Sequence, residues 1–225
     1  MANVGFRIYS KIERPDRKLV EGFAGIPVAN IGDNINRQFC LDAKIRPMNT
    51  VPLLGTAFTV RSRPGDNLLL HKAIDMADAG DIIVVDCQGD TVNSVIGELM
   101  ISWAYGRGIA GFVIDGAIRD ADAIRTMNIP VYAAGVTPKG PYKDGPGEIN
   151  VTISCGGVSI KPGDILVGDG DGLVVIDPKE APEILAKAKA TVAKEAGIME
   201  DIINKKWDRS WVDKALRDKG CEFID

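Results

Sequence analysis

The sequence predicts an α/β protein with a parallel βαβαβ core, then a β-meander, then a long C-terminal helix. Three observations carry that expectation. Short apolar runs recur at 81–86, 111–115 and 130–134, with helical segments between them. Strands alternating with helices in this way pair in parallel through right-handed crossovers. From residue 150 the pattern changes to short strands separated by glycine turns, the mark of a meander. From Pro178 to about Asn204 the chain is rich in Ala, Lys and Glu and reads as one long helix.

In chain order, residues 14–24 place Leu19, Val20 and Phe23 at helical spacing behind Pro15, a short helix ending before Gly25-Ile26-Pro27. Val28 to Ile35 is mixed, with a turn or helix start around Gly32-Asp33-Asn34. Gly55 to Arg63 alternates and is rich in β-branched and aromatic residues, hence a strand. Pro64-Gly65-Asp66-Asn67 is a turn that can cap a helix over Leu68 to Ala79, whose apolar side carries Leu69, Ala73, Ile74 and Met76. After the strand 81–86, a polar loop (Cys87 to Ser94) leads to a helix that runs to about Tyr105 and stops at Gly106-Arg107-Gly108. The strand 111–115, a short helix over Asp120 to Met127 and the strand 130–134 complete the core.

Gly135 to Glu148 is a loop dense in Pro and Gly and tipped by Lys139 and Lys143. The meander strands fall at 150–154, 158–160, 165–167 and 173–176, followed by the long helix and a tail with Trp207 and Trp211. Nothing resembles a linker. The expectation is a single domain over 1–225, with a core of about 25–178 and a helical extension of about 179–225.

At 225 residues, 45% hydrophobic and 26% charged, the composition is that of an ordinary soluble globular protein. A formal charge of −4 argues against a general nucleic-acid or membrane-surface role, both of which reward a basic excess. Cys40, Cys87, Cys155 and Cys221 have no zinc-knuckle or redox spacing, and four reduced thiols are expected. The N-terminus carries charges where a signal peptide is apolar, and no stretch approaches the roughly 20 apolar residues of a membrane span. A cytoplasmic protein is the expectation.

The stretch richest in chemistry is Gly97-Glu98-Leu99-Met100 with Asp115-Gly116-Ala117-Ile118-Arg119-Asp120. Both follow core strands, and so open on the sheet edge where α/β proteins gather ligands. Gly97 lets a backbone approach closely, and the amides of Leu99 and Met100 at a helix start can bind a carboxylate. Arg119 offers a planar fork for carboxylate or enolate oxygens. Asp120, and Glu98 through water, supply hard oxygen ligands for Mg²⁺ or Mn²⁺. A turn at Asp115-Gly116 and an exposed, helix-capping Arg119–Asp120 pair account for the same residues without a ligand.

Four segments together, GDN at 65–67, GEL at 97–99, RGIAGFVIDGAIRD at 107–120 and PGDILVGDGDGLVVI at 162–176, resemble the RraA-like family over roughly residues 25–205. That family holds the 4-hydroxy-4-methyl-2-oxoglutarate aldolases, which are class II pyruvate aldolases, and the regulators of ribonuclease E. The resemblance implies a β/β/α-type sandwich of the swivelling-domain type, assembled as a homotrimer or homohexamer. It also implies that Asp120 ligates the metal, Glu98 holds metal-bound water, and Arg119 with the amides of Leu99 and Met100 binds pyruvate. Glu98, twenty intervening residues and then Arg119-Asp120 fit the aldolase pattern, although the familiar aldolase has Asp where this chain has Glu98. A Glu from the neighbouring subunit's C-terminal helix completes the family's site, a role open here to Glu195 or Glu200.

The activity this implies is metal-dependent cleavage of 4-hydroxy-2-oxo acids to pyruvate through an enolate, with oxaloacetate decarboxylation as a side activity. The alternative is a non-catalytic ribonuclease inhibitor, against which Glu98 stands because the regulators look to lack an acid there. No glycine-rich cofactor loop supports a methyltransferase, and no Walker-type or dinucleotide motif occurs. His71, the only histidine, reads as structural, and Asn67, at the start of the same helix, as either its cap or a residue that reaches the ligand edge. Gly168 to Gly172 lacks the spacing and closing Glu of a calcium loop and reads as a turn.

Overall fold

The structure is a computed structural model that describes residues 3–224. In chain order its elements begin with β1 (Phe6–Ile8), α1 (Arg17–Glu21), α2 (Val28–Asn34), β2 (Arg46–Pro47), β3 (Leu53–Ser62) and α3 (Leu68–Met76). The core continues with β4 (Asp81–Ile96), α4 (Glu98–Gly106), β5 (Gly111–Ile118), α5 (Ala121–Ile124) and β6 (Val131–Val136). There follow β7 (Gly147–Ile149), β8 (Ile153–Cys155), β9 (Val158–Ile160), β10 (Ile165–Asp169), β11 (Gly172–Ile176), α6 (Ala181–Ile203) and α7 (Ser210–Asp218).

A nine-stranded sheet organises the chain, in the order β1-β7-β3-β4-β5-β6-β2. Its centre, β3-β4-β5-β6, is parallel throughout, as the alternation of apolar strands and helices requires. The long β3 serves two neighbours on its other edge: residues 53–56 pair with β10 and residues 60–62 with β7. The meander therefore divides. β10 and β11 join the main sheet, while β8 and β9 form a two-stranded sheet of their own.

Three apolar clusters hold these layers. One face of the sheet packs Phe58, Val85, Phe112 and Ile114 under α3 and α4, through Leu70, Ile74 and Ile101. The other face packs Val84, Val113 and Tyr132 against β8 and β9. A third cluster fastens α1, α2 and α6 to β10 and β11 through Phe23, Ile31, Ile184 and Val174. Each fully buried side chain of this size contributes about 1.5–3 kcal/mol, so the fold does not depend on any single one. Among the described residues no helix is long and apolar enough to cross a membrane.

Two departures from the sequence reading bear on the site. Cys87 to Ser94 is not a free loop: β4 continues to Ile96 through three shifts of register and returns to pair after each, with Asp90 opposite Gly116 and Ser94 opposite Ala117. Asp115-Gly116 is consequently no turn but the middle of β5. Gly116 is required there because a Cβ would lie 3.0 Å from the Cβ of Cys87. Buried Asp115 accepts a hydrogen bond from the Gly156 N–H (2.9 Å) and pairs with Lys44 (3.3 Å). Several helix bounds also move. The N-terminal helix shrinks to Arg17–Glu21, 28–34 is a full helix, the short helix after Asp120 is one turn, and the tail folds as α7.

Candidate functional site

Strands β4 and β5 end side by side, with Ile96 opposite Ile118, and each is followed at once by a helix. The residues that leave those strand ends, Gly97 and Arg119-Asp120, therefore meet. A Cβ on Gly97 would run into Asp120 Oδ2 and lie 3.0 and 3.2 Å from Arg119 Cγ and Nε. Gly97 has an extended backbone, so it is glycine for space and not for a positive φ. Asp120 sits in the left-handed region (φ 59°), which Asp tolerates better than most residues and which turns the chain sharply between β5 and α5.

Asp120 closes the start of α4 from across the sheet edge. The Glu98 N–H donates to its Oδ2 (3.0 Å), and Arg119 Nε stands 3.7 Å from the same oxygen. Ile101 is the first residue of α4 whose N–H enters the helical ladder, donating to the Gly97 carbonyl (3.2 Å). With Glu98 taken by Asp120, the amides of Leu99 and Met100 are left at the helix mouth, where a negative group is favoured. The capping duty foreseen for Asp120 is thus real, but the helix it caps is α4, not α5. Arg119 and Asp120 remain 45% and 39% exposed, open to a ligand.

Beside them lies a cleft of about 350 Å³ lined by Gly97, Leu99, Met100 and Arg119 together with Asn67, His71, Gly140 and Lys143. Glu98 and Asp120 stand at its edge, not in its lining. His71, for which the sequence favours a structural role, is exposed and lines the cleft, because α3 turns Leu69, Leu70, Ala73 and Ile74 to the core instead. Partial burial and the nearby Lys143 lower the His71 pKa, with Asp75 opposing, so the imidazole is biased toward its neutral form. Asn67 is buried. Its Nδ2 donates to the Val95 carbonyl (2.9 Å), while its Oδ1 has no hydrogen-bond partner.

Sequence reasoning missed Asp66, which anchors the loop that brings Gly140 and Lys143 to the cleft. Its wholly buried carboxylate accepts from the backbone N–H groups of Leu68 (2.9 Å), Asp144 (2.7 Å) and Gly145 (2.9 Å), with Arg63 at 3.3 Å. It thereby joins the start of α3 to the loop before β7. The only signal was the GDN triplet, read as a turn.

The C-terminal glutamates do not line this cleft. Glu195 receives a hydrogen bond from Asn30 Nδ2 (2.6 Å) of the same chain, which ties α6 to α2, and Glu200 is exposed on the last turns of α6. Among the described residues no group of three or more His, Cys, Asp or Glu side chains converges as a metal cage. A larger cleft of about 590 Å³ lies between α2, α6 and the meander. Its lysines are already paired, Lys161 with Asp177 and Lys187 with Glu183.

Residues 28–175 match the family described as RraA-like, Aldolase/RraA. The chain belongs to the RraA-like family. A Halalkalibacterium halodurans protein provisionally named 4-hydroxy-4-methyl-2-oxoglutarate aldolase is 44% identical over 168 residues, covering 74% of this chain and 80% of that one. Among solved structures, Streptomyces coelicolor RraAS2, an unusual member of the RNase ES inhibitor RraA family, superposes with a TM-score of 0.74 at 26% identity, over 83% of this chain and 98% of that one. The RNA-processing inhibitor RraA from Thermus thermophilis gives 0.62 at 29% identity, over 67% and 92%. The mixed sheet with its flanking helices and C-terminal helix is thus the fold of these relatives, and it spans both an aldolase name and inhibitor names.

Proposed function

We propose that this RraA-like protein is a metal-dependent lyase that cleaves 4-hydroxy-2-oxo acids of the 4-hydroxy-4-methyl-2-oxoglutarate type to pyruvate. The observation that carries the reading is the packing of Arg119 and Asp120 directly over Gly97, beside a helix mouth with two free amides. The aldolase name of the 44% identical relative points the same way.

The donor set fits a hard divalent ion. Asp120 uses Oδ2 for the Glu98 N–H and the Arg119 contact, while the exposed Glu98 side chain stands one residue from the same glycine. One direct carboxylate with another acting through water suits Mg²⁺ or Mn²⁺, which keep several waters and need no all-protein cage. Such an ion, held by Asp120 with Glu98 through water, would supply Lewis-acid polarisation of the substrate's 2-keto oxygen.

The chain's own residues then have definite tasks. The Leu99 and Met100 amides receive the substrate carboxylate at the positive end of α4. Arg119 places its guanidinium against the 2-oxygen, where negative charge grows as the bond between C3 and C4 breaks and the pyruvate enolate forms. The proton of the 4-hydroxyl must leave in the same step, and C3 must be reprotonated to release pyruvate. Decarboxylation of oxaloacetate passes through the same enolate and is expected as a side activity. In this reading the active form is a trimer or hexamer, and Glu200, unlike Glu195, keeps its carboxylate free of Asn30 for a neighbouring copy.

The test is release of pyruvate from 4-hydroxy-4-methyl-2-oxoglutarate and from oxaloacetate, with Mg²⁺ present or chelated. Metal-dependent turnover that Arg119→Ala and Asp120→Ala each abolish supports the reading. No turnover of any 2-oxo acid, together with tight binding to a ribonuclease, would replace it with the inhibitor function.

A further inference from the structure

The cleavage chemistry leaves one task without a residue: a proton must leave the 4-hydroxyl as the bond between C3 and C4 breaks, and C3 must then take one up. Arg119 and Lys143 line the cleft, but guanidinium and ammonium groups ordinarily hold their protons at neutral pH. Among the described residues lining it, His71 is the only one of a type that both takes and returns a proton there.

The frame holds His71 beside the α4 mouth. Asn67, at the start of α3, donates through Nδ2 to the Val95 carbonyl (2.9 Å) and reaches Met100 Sδ (3.5 Å), so the first turns of α3 and α4 are tied together. One turn on, the His71 N–H donates to the Asn67 carbonyl (3.0 Å), and residues at this spacing share a helix face. That face opens on the cleft. His71 also lines an adjoining groove of about 280 Å³ with Leu99, Met100 and Trp103, so its ring stands where the two cavities meet. The charges near it are Lys143 of the loop before β7, Asp75 one turn on along α3, and Arg119 in the same lining, while α4 presents only uncharged side chains to the groove. Partial burial and Lys143 favour the neutral ring, Asp75 the charged one, and the first two prevail.

We propose that His71 carries the proton of the cleavage: its neutral ring takes the 4-hydroxyl proton as the bond between C3 and C4 breaks, and the imidazolium returns that proton to C3 of the pyruvate enolate. The inference rests on the reading of Arg119 and the α4 mouth as the place that takes the 2-oxo acid. The O–H pair becomes the second bond of the new carbonyl at C4. The C3–C4 pair passes into the enolate and then forms the new C3–H bond. One proton moves and none is gained or lost. Oxaloacetate differs, since loss of CO₂ removes no proton and His71 serves only the later protonation of C3.

His71 is the only histidine of the chain, so its ring gives a single imidazole signal in proton NMR. That signal, followed with pH in the full chain, should shift when pyruvate and Mg²⁺ are added. The kcat/KM for 4-hydroxy-4-methyl-2-oxoglutarate should fall as pH drops through the imidazole midpoint, below about 6.5. The side chain is exposed, so His71→Gln should leave the fold intact. It should abolish the pH limb and lower kcat for cleavage by about 10²-fold or more, with KM within about twofold. Exchange of the pyruvate methyl protons with D₂O should fall as far as cleavage, and CO₂ release from oxaloacetate by less than about tenfold. A limb that persists in His71→Gln, an imidazole signal indifferent to pyruvate, or equal losses of cleavage and CO₂ release each overturn the proposal. The two readings fail separately. Wild type and His71→Gln that cleave equally well sink only this inference. A wild type that exchanges the pyruvate methyl protons through His71 but cleaves no hydroxy-oxo acid upholds His71 as the carrier at C3 and sinks the cleavage reading. A wild type that does neither sinks both.

Discussion

Gly97→Ala is the sharpest test of the site, because it adds one methyl group at the one place where both strand ends converge. The new Cβ would collide with Asp120 Oδ2 and press on Arg119 Cγ and Nε at 3.0 and 3.2 Å. Both side chains are partly exposed, so they can swing away, and the fold should absorb the change at less than about 1 kcal/mol. In a chain of this size that lowers Tm by no more than about 2–4 °C. The site should not absorb it. Moving the Asp120 carboxylate breaks its hydrogen bond from the Glu98 N–H (3.0 Å), an exposed bond that water replaces at little cost to the fold, and shifts the guanidinium. A displacement of about 1 Å in positioning groups costs on the order of a hundredfold in rate. The expectation is therefore a fall of about 10²-fold in kcat/KM for pyruvate release with Tm nearly unchanged. Full activity would refute the placement of the reacting groups over Gly97. A Tm loss of 10 °C or more, roughly threefold the expected shift, would refute the claim that the glycine serves the site and not the fold.

Three further expectations concern the frame around the site. Asp66→Asn keeps the shape but sets an amide N–H against a backbone N–H, either that of Leu68 or those of Asp144 and Gly145. It should cost about 2–3 kcal/mol in urea unfolding and speed amide exchange over residues 139–145, whereas uniform exchange along the chain would argue against a local clamp. Lys44→Met leaves the buried Asp115 Oδ1 without its cation. The lysine is 46% exposed, so a loss of about 1–2 kcal/mol is expected, most of it recovered on adding Asp115→Asn. The Glu148 pKa lies below its ordinary value of 4.5: burial pushes it up, but the bonds from Arg7 and the Gly5 N–H and the charge of Arg61 outweigh that. Its contribution to stability is therefore present above pH 4.5 and lost as pH falls through the lower folded value, and Glu148→Gln should flatten the acid limb of the unfolding curve.

The parallel core was legible because its signal is local. The runs 81–86, 111–115 and 130–134 are apolar on both faces, and only a strand covered on both sides tolerates that pattern. The convergence of Gly97 with Arg119-Asp120 was legible for the related reason that adjacent parallel strands end on the same edge. What escaped notice depends on contacts distant in sequence. Cys87 to Ser94 is polar and reads as loop, yet each bulge returns to pair with β5 because Gly116 lets the two backbones approach. Asp115 and Asp120 stand five residues apart with opposite duties, one buried against Lys44 and the Gly156 N–H, the other exposed at the cleft edge. Nothing in the string DGAIRD separates them. The pleat does, because successive side chains along β5 point to opposite faces until the left-handed Asp120 ends the strand. Asp66 follows the same logic in reverse. Its neighbours suggest a turn, but the bonds that bury its carboxylate come from residues 144 and 145, 78 and 79 positions away. A buried acid whose partners are backbone amides leaves no mark in composition or charge pattern. In this chain such an acid fixes the loop that carries Gly140 and Lys143, so part of the cleft's lining is decided by the part of the structure the sequence discloses least.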